Sequence, residues 1–239
     1  MGGFGMGNNA EAHTSGVGLG VKDCEISGMY FSETGANAIT FGGVQAEAHH
    51  PSDPAMVISG VVITENIFAG TSRTITSGSG ILVTYATDTT ITHNDLSDLP
   101  YSAICFGYGW GSNDVGGSPE YKDRGLYEYQ PVYDTPTTLK SGLISGNLIH
   151  DYGRAHSDLG AIYTLSACPD TFIERNYIYG MVTSTGTGAL KMLRYALVRY
   201  ISDSLKQVST TTKAPGISSI AIVSSTWRVP GIGDTWTRS

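Results

Sequence analysis

Four stretches of the chain share the pattern apolar-x-x-Asn-x-apolar: Ile63-Asn66-Phe68, Ile91-Asn94-Leu96, Ile144-Asn147-Ile149 and Ile173-Asn176-Ile178. A fifth, Val21-Cys24-Ile26, reads as the same unit with Cys in the Asn position. The Asn residues are 28, 53 and 29 positions apart, and 42 separate Cys24 from Asn66, so the longer gaps are repeats carrying insertions. Each copy has a second short apolar strand downstream: 38–41, 80–83, 103–106 and 161–164. Its central Ile falls 15 residues after the Asn or Cys in three copies and 10 after Asn94. These segments are β-branched or aromatic with period 2, and Gly, Ser, Thr, Asn and Asp fill the gaps. A repeat of this length without a helical period predicts one coil of a parallel β-helix. Stacked coils superimpose equivalent residues, so the Asn column is expected to form an amide ladder and the Ile columns the core.

A chain of 239 residues with 31 Gly and 15% charged residues fits one all-β domain. A net charge of −7 without a basic stripe argues against a nucleic-acid partner. No apolar run approaches the length of a membrane span. Three Cys (Cys24, Cys105, Cys168) are too few for a disulfide framework or a zinc site, and Cys24 and Cys105 read as packing residues in strands. No metal or cofactor is expected, and the chain is expected to be a monomer.

In chain order, residues 1–16 read as a ragged Gly-rich edge without the features of a signal peptide. Residues 17–190 read as the β-helix domain, with polar insertions at 44–56 and 111–138. In the first, His49-His50 with Asp53 suggests either a metal site or an exposed loop. The second carries Tyr121, Tyr127, Tyr129 and Tyr133 among five acids. A long loop on a rigid scaffold suits function, and aromatic faces beside carboxylates suit sugar rings. The same tyrosines could equally pack down as a cover. Before this insertion, Gly107-Tyr108-Gly109-Trp110-Gly111 alternates Gly with aromatics, placing Tyr108 and Trp110 on one face.

Asp158 lies four residues before Ile162, where the other copies have Gly35, Ser77 and Pro100. An acid unique to its column is not part of a ladder. It reads as a catalytic carboxylate near Tyr163 or as a turn Asp bonding local amides. His150, Asp151 and His156 are close in sequence. From about residue 191 the repeat lapses: 191–208 has the pattern of a short basic amphipathic helix, with Ile201–Ser204 as a strained further coil.

The segments HNDLSDLPYSAICFGYGWG (93–111), ISGNLIHDYGR (144–154) and SDLGAIYTL (157–165) resemble secreted right-handed parallel β-helix proteins of the pectin-lyase-like superfamily. More narrowly they resemble β-helical glycoside hydrolases and their uncharacterised fungal and bacterial relatives. The resemblance covers roughly residues 17–190 and implies about five coils, an extracellular setting and a hydrolase acting on a polysaccharide or glycan. In such enzymes two carboxylates flank the scissile bond, one protonating the leaving oxygen and the other acting as base or nucleophile. Asp158 matches one of them, and Asp151 and Asp98 are the fallback partners. Tyr108, Trp110, Tyr163 and His156, roofed by Tyr127 and Tyr129, are the expected substrate contacts. The second acid is expected after Gly188-Ala189-Leu190, where this chain has Lys191-Met192-Leu193. A shifted reading frame over 191–239 would account for that loss. The alternatives are a glycan-binding protein without catalysis and a truncated product without function.

Overall fold

The computed structural model describes residues 4–6, 16–17, 19–125, 130–156, 159–182 and 200–201. In chain order the strands begin with β1 (Phe4–Met6), β2 (Gly16–Val17), β3 (Glu25–Ser27), β4 (Tyr30–Ser32) and β5 (Ile39–Phe41). They continue with β6 (Val62–Thr64), β7 (Ile67–Ala69), β8 (Ile81–Val83), β9 (Thr90–Thr92), β10 (Asp95–Ser97) and β11 (Ile104–Phe106). The last are β12 (Leu143–Ser145), β13 (Leu148–His150), β14 (Ile162–Thr164), β15 (Phe172–Glu174), β16 (Tyr177–Tyr179) and β17 (Tyr200–Ile201). Helices α1 (Ala46–His49) and α2 (Pro119–Asp123) fall inside the two insertions.

Three sheets stack these strands. The first runs β14-β11-β8-β5-β1-β2, the second β16-β13-β10-β7-β4, and the third β17-β15-β12-β9-β6-β3. All pairings are parallel except β15 with β17. The protein is therefore all-β, and its stacked parallel sheets fit a β-helix solenoid. The middle residues of the third and second sheets form inward columns, Ile26-Ile63-Ile91-Ile144-Ile173 and Phe31-Phe68-Leu96-Ile149-Ile178. In the first sheet the outer residues point inward: Ile39, Ile81 and Ile104, with Phe41, Val83 and Phe106, are all fully buried. Burying such side chains, at ~1.5–3 kcal/mol each, is the main term that holds the stack. Phe31 and Phe68 stack with ring centres 4.9 Å apart.

The expected Asn ladder forms between the third and second sheets. Asn66, Asn94, Asn147 and Asn176 are each 1% exposed. Each side-chain oxygen of Asn94, Asn147 and Asn176 accepts from the backbone and side-chain nitrogens of the preceding Asn at 2.9–3.1 Å. Each amide nitrogen also reaches back to a strand carbonyl, of Ile26, Ile63, Ile91 and Ile144 in turn.

The first copy needs a correction. Ile26 pairs with Ile63 and Phe31 with Phe68, so the residue in the Asn column is Met29, not Cys24. Its backbone N–H donates to Asn66 Oδ1 at 3.0 Å. The Val21-x-x-Cys24-x-Ile26 pattern imitates the repeat one strand early. The C-terminal expectation is also corrected where it can be seen. Tyr200 and Ile201 form a two-residue antiparallel strand against Ile173 and Phe172, neither helix nor parallel coil. The rest of 191–239 lies outside the described residues.

Candidate functional site

With the first copy in register, the connections around the first sheet alternate in length. Between the second sheet and the first they run 33–38, 70–80, 98–103 and 151–161: short, long, short, long. Between the first sheet and the third they run 42–61, 84–89, 107–142 and 165–171: long, short, long, short. On each edge the two long connections meet over the short one between them. Thr76 Oγ1 and His156 Nε2 lie 3.1 Å apart, spanning the 98–103 connection, and the His156 ring stands edge-on to Tyr101 there at 5.7 Å. On the other edge the His50 ring stacks on Tyr133 at 3.8 Å, while His49 meets Tyr85 edge-on at 5.1 Å.

Between these walls lies the outer face of the first sheet, the column Thr40-Leu82-Cys105-Tyr163. Outward residues of a solvated sheet are ordinarily exposed, but Tyr163 is only 9% exposed and the other three are half-buried. Burial pushes the Cys105 thiol up to about 11, so it is an inert floor residue. The face is thus a walled trough with Tyr163 on its floor.

Two aromatics emerge where the floor meets the far wall. Tyr108, just after β11, is 44% exposed. Trp110 is half-buried and has a left-handed backbone, φ 48° and ψ 38°, between Gly109 and Gly111, which also have positive φ. The neighbouring backbone is tied down. The Tyr108 carbonyl accepts from the Tyr85 hydroxyl at 2.9 Å and from the Ser166 hydroxyl. Ser166 Oγ accepts from Gly111 N–H at 3.1 Å, and Tyr85 Oη accepts from Asn113 Nδ2 at 2.8 Å. Burial pushes the Tyr85 phenol up to about 12. Asp114 Oδ2 accepts from Ala167 N–H at 2.8 Å, while its buried Oδ1 has no hydrogen-bond partner. Burial raises this carboxyl above its ordinary range.

The histidine pair is structural. His49 is 4% exposed, not part of an exposed loop. His50 Nε2 lies 2.8 Å from the Thr135 carbonyl and must donate to it. In neutral His50 the Nδ1 is then an acceptor, and it takes its proton bond from His49 Nδ1 at 2.7 Å. Burial, then the neighbouring His50, pulls His49 down to about 4. No group of three His, Cys, Asp or Glu able to hold a metal ion occurs among the described residues. Nor is any helix among them long and apolar enough to cross a membrane.

Asp98 and Asp151 stand on adjacent levels at the corner between the second and first sheets, as the register Ser97–His150 requires. Both take left-handed φ, 55° and 52°, which Asp tolerates better than most residues. Asp98 lies 2.6 Å from Arg73 and 2.9 Å from Arg154, and Arg73 also reaches Glu33 at 2.9 Å. Asp151 Oδ2 lies 2.8 Å from His150 Nδ1, and the other ring nitrogen is 3.2 Å from Asp95. The structure therefore brings Tyr163, Tyr108, Trp110 and His156 around one trough and sets at its corner Asp98, between two guanidiniums, and Asp151, beside the His150 ring. Asp158, Tyr127 and Tyr129 lie outside the described residues; Asp158 belongs to the long 151–161 connection that carries His156. Ser166 and Tyr85, which hold the Trp110 turn, bear no sequence signal that marks them in advance.

No family model and no curated protein matches this sequence. A solved structure named "Glycoside hydrolase" superposes on 69% of this chain with a TM-score of 0.56 and 21% identity. The match takes in 26% of that structure's chain, so this protein spans about a quarter of its length. The likeness is one of fold: the stacked parallel strands of this chain follow those of a protein named for glycoside hydrolysis.

Proposed function

We propose that the chain is a carbohydrate-active right-handed parallel β-helix of the pectin-lyase-like kind, with about five coils over residues 17–190. It acts outside the cell, as a monomer, on a polysaccharide or glycan, as a glycoside hydrolase. The observation that carries this reading is the walled trough over the first sheet, with Tyr163 on its floor and Tyr108 and Trp110 on its rim. A trough that runs across stacked coils suits a polymer, and aromatic faces match the C–H faces of its rings. The fold likeness to a protein named glycoside hydrolase supports the same class.

In this reading Asp158, two residues after His156 in sequence, is one of the two carboxylates that flank the scissile bond. Its partner would stand about 5–10 Å away, nearer for a retaining enzyme and farther for an inverting one. Asp151 is the better placed of the two fallback acids, since Asp98 is held by two guanidiniums. Tyr127 and Tyr129 of the 111–138 insertion are further substrate contacts in this reading.

A specific observation favours a second reading, glycan binding without hydrolysis. Asp98, Asp151 and Asp114, the described acids at the trough's edges, are each already engaged: by Arg73 and Arg154, by His150 and by Ala167 N–H. Release of reducing ends from a polysaccharide panel, measured beside binding, separates the two. Turnover by the wild type, abolished in Asp158→Asn with binding retained, is the result expected of the hydrolase. Binding with no turnover in either protein establishes the second reading, and neither binding nor turnover refutes both.

A further inference from the structure

We infer that Ser166 is a positioning residue that locks Trp110 and Tyr108 into a preformed aromatic subsite for a pyranose ring; the ligand class rests on the glycan reading above. Gly109, Trp110 and Gly111 have successive φ of 78°, 48° and 80°. Glycine accepts this region freely, whereas a Trp there costs ~1–2 kcal/mol, so the turn needs an outside hold.

Ser166 supplies that hold from the next level of the stack. Its hydroxyl donates to the carbonyl before the turn, Tyr108, and accepts from the amide that closes it, Gly111. One side chain therefore clamps both ends of the strained segment. Tyr85, 1% exposed and itself fixed by Asn113, grips the same Tyr108 carbonyl from the preceding level. Asp114 ties the segment after the turn to Ala167 N–H, the residue following Ser166.

Neither ring belongs to the buried core: Tyr108 is exposed and Trp110 half-buried. Tyr85, Tyr133, His49 and His50 all have ring partners. Trp110 and Tyr108 have neither a ring partner nor a side-chain hydrogen bond among the described residues. A strained turn held at both ends, carrying two unengaged aromatics at the rim of a trough, is organised for a ligand rather than for the core. Because the backbone is fixed beforehand, binding incurs little ordering cost.

The test uses the full chain. The indole N–H resonance of Trp110 is identified among the three Trp by Trp110→Phe. It is then followed in Ser166→Gly, which keeps the positive φ of residue 166 and removes the CH2OH side chain that makes both contacts. In parallel, affinity electrophoresis is run in gels containing arabinoxylan, homogalacturonan, mixed-linkage β-glucan or galactomannan. The expected result is a shifted, broadened Trp110 resonance in Ser166→Gly and a ~10-fold weaker affinity in both Ser166→Gly and Trp110→Ala. An unchanged resonance and affinity in Ser166→Gly overturns the positioning role. Full affinity in Trp110→Ala overturns the subsite while leaving the glycan reading intact. If no polysaccharide retards the wild type, the glycan reading fails and the resonance alone decides the lock. Should Ser166→Gly not fold, Tyr85→Phe removes the other donor to the Tyr108 carbonyl and is read in the same way.

Discussion

Replacing Asn94 by Ala removes an interior rung of the ladder. Its Oδ1 accepts from Asn66 N–H at 3.1 Å and Asn66 Nδ2 at 3.0 Å, and its Nδ2 donates to Ile63 O and Asn147 Oδ1, both at 3.0 Å. Asn66 Nδ2 keeps a second acceptor, the Ile26 carbonyl, and Asn147 Oδ1 keeps Asn94 N–H. The Ile63 carbonyl stays in the parallel ladder between β6 and β9, so the group left without its partner is Asn66 N–H, in a site 1% exposed. A buried N–H left unsatisfied costs ~1–3 kcal/mol and the lost side-chain bonds add to it, so Asn94→Ala should destabilise by about 2–4 kcal/mol. Asn94→Asp, nearly isosteric, should cost at least as much, because a carboxylate oxygen would face two acceptors where an N–H₂ now donates. Asn66→Ala should cost less, since its Oδ1 accepts only the Met29 N–H. Urea unfolding followed by circular dichroism measures all three. Since stacked repeats can open locally, hydrogen exchange at Asn66 and Asn147 should accompany it. A loss below ~1 kcal/mol for Asn94→Ala, or an Asp variant as stable as wild type, would refute the claim that the ladder holds these levels together.

Three other predictions follow from the geometry. Burial, then the neighbouring His50, holds His49 down at about 4, well below the ordinary imidazole range. Its contribution is complete above pH 6.5 and is lost as pH falls towards 4, about 3 kcal/mol in all. The acid-side slope of stability should flatten in His49→Phe, and an equal slope in both proteins removes His49 as its source. Gly107→Ala should cost more than ~3 kcal/mol in urea titration, because φ is 97° and a Cβ would lie 1.6 Å from the Leu165 carbonyl oxygen. A variant within ~1 kcal/mol of wild type shows that this close approach can relax. Arg73→Gln should cost only ~0.5–1 kcal/mol and the loss should shrink in salt, since its contacts with Glu33 and Asp98 are solvent-exposed. A salt-independent loss above ~2 kcal/mol would mean that Arg73 braces the corner by packing.

The columns of the fold were readable because stacking repeats them. Ile63, Ile91, Ile144 and Ile173 recur with an Asn three positions on, so each copy confirms the others. The first copy misled because Cys24 sits in a near-match while the true column residue, Met29, lacks the amide that defines the pattern. That shift also hid the alternation of loop lengths, which appears only when the 33–38 connection is recognised as short. Pairings between distant residues left no local trace. Nothing near Asp98 in sequence marks Arg73 and Arg154 as its partners, and nothing near Trp110 marks Ser166. His49 looked like a loop residue because its cover, Tyr85 and Tyr133, arrives from other connections. Residue type alone picked out Tyr108, Trp110 and Tyr163; the register set Tyr163 on the floor of the face beside them.

The central claim is that the trough over the first sheet is the glycan-binding surface. Hydroxyl-radical footprinting in the presence of a polysaccharide from the panel reads aromatic side chains directly. Protection of Tyr108 and Trp110 is the predicted result, with Tyr177 and Tyr179 on the outer face of the second sheet still reactive. Protection confined to Tyr177 and Tyr179, or no protection by any polysaccharide, would contradict it.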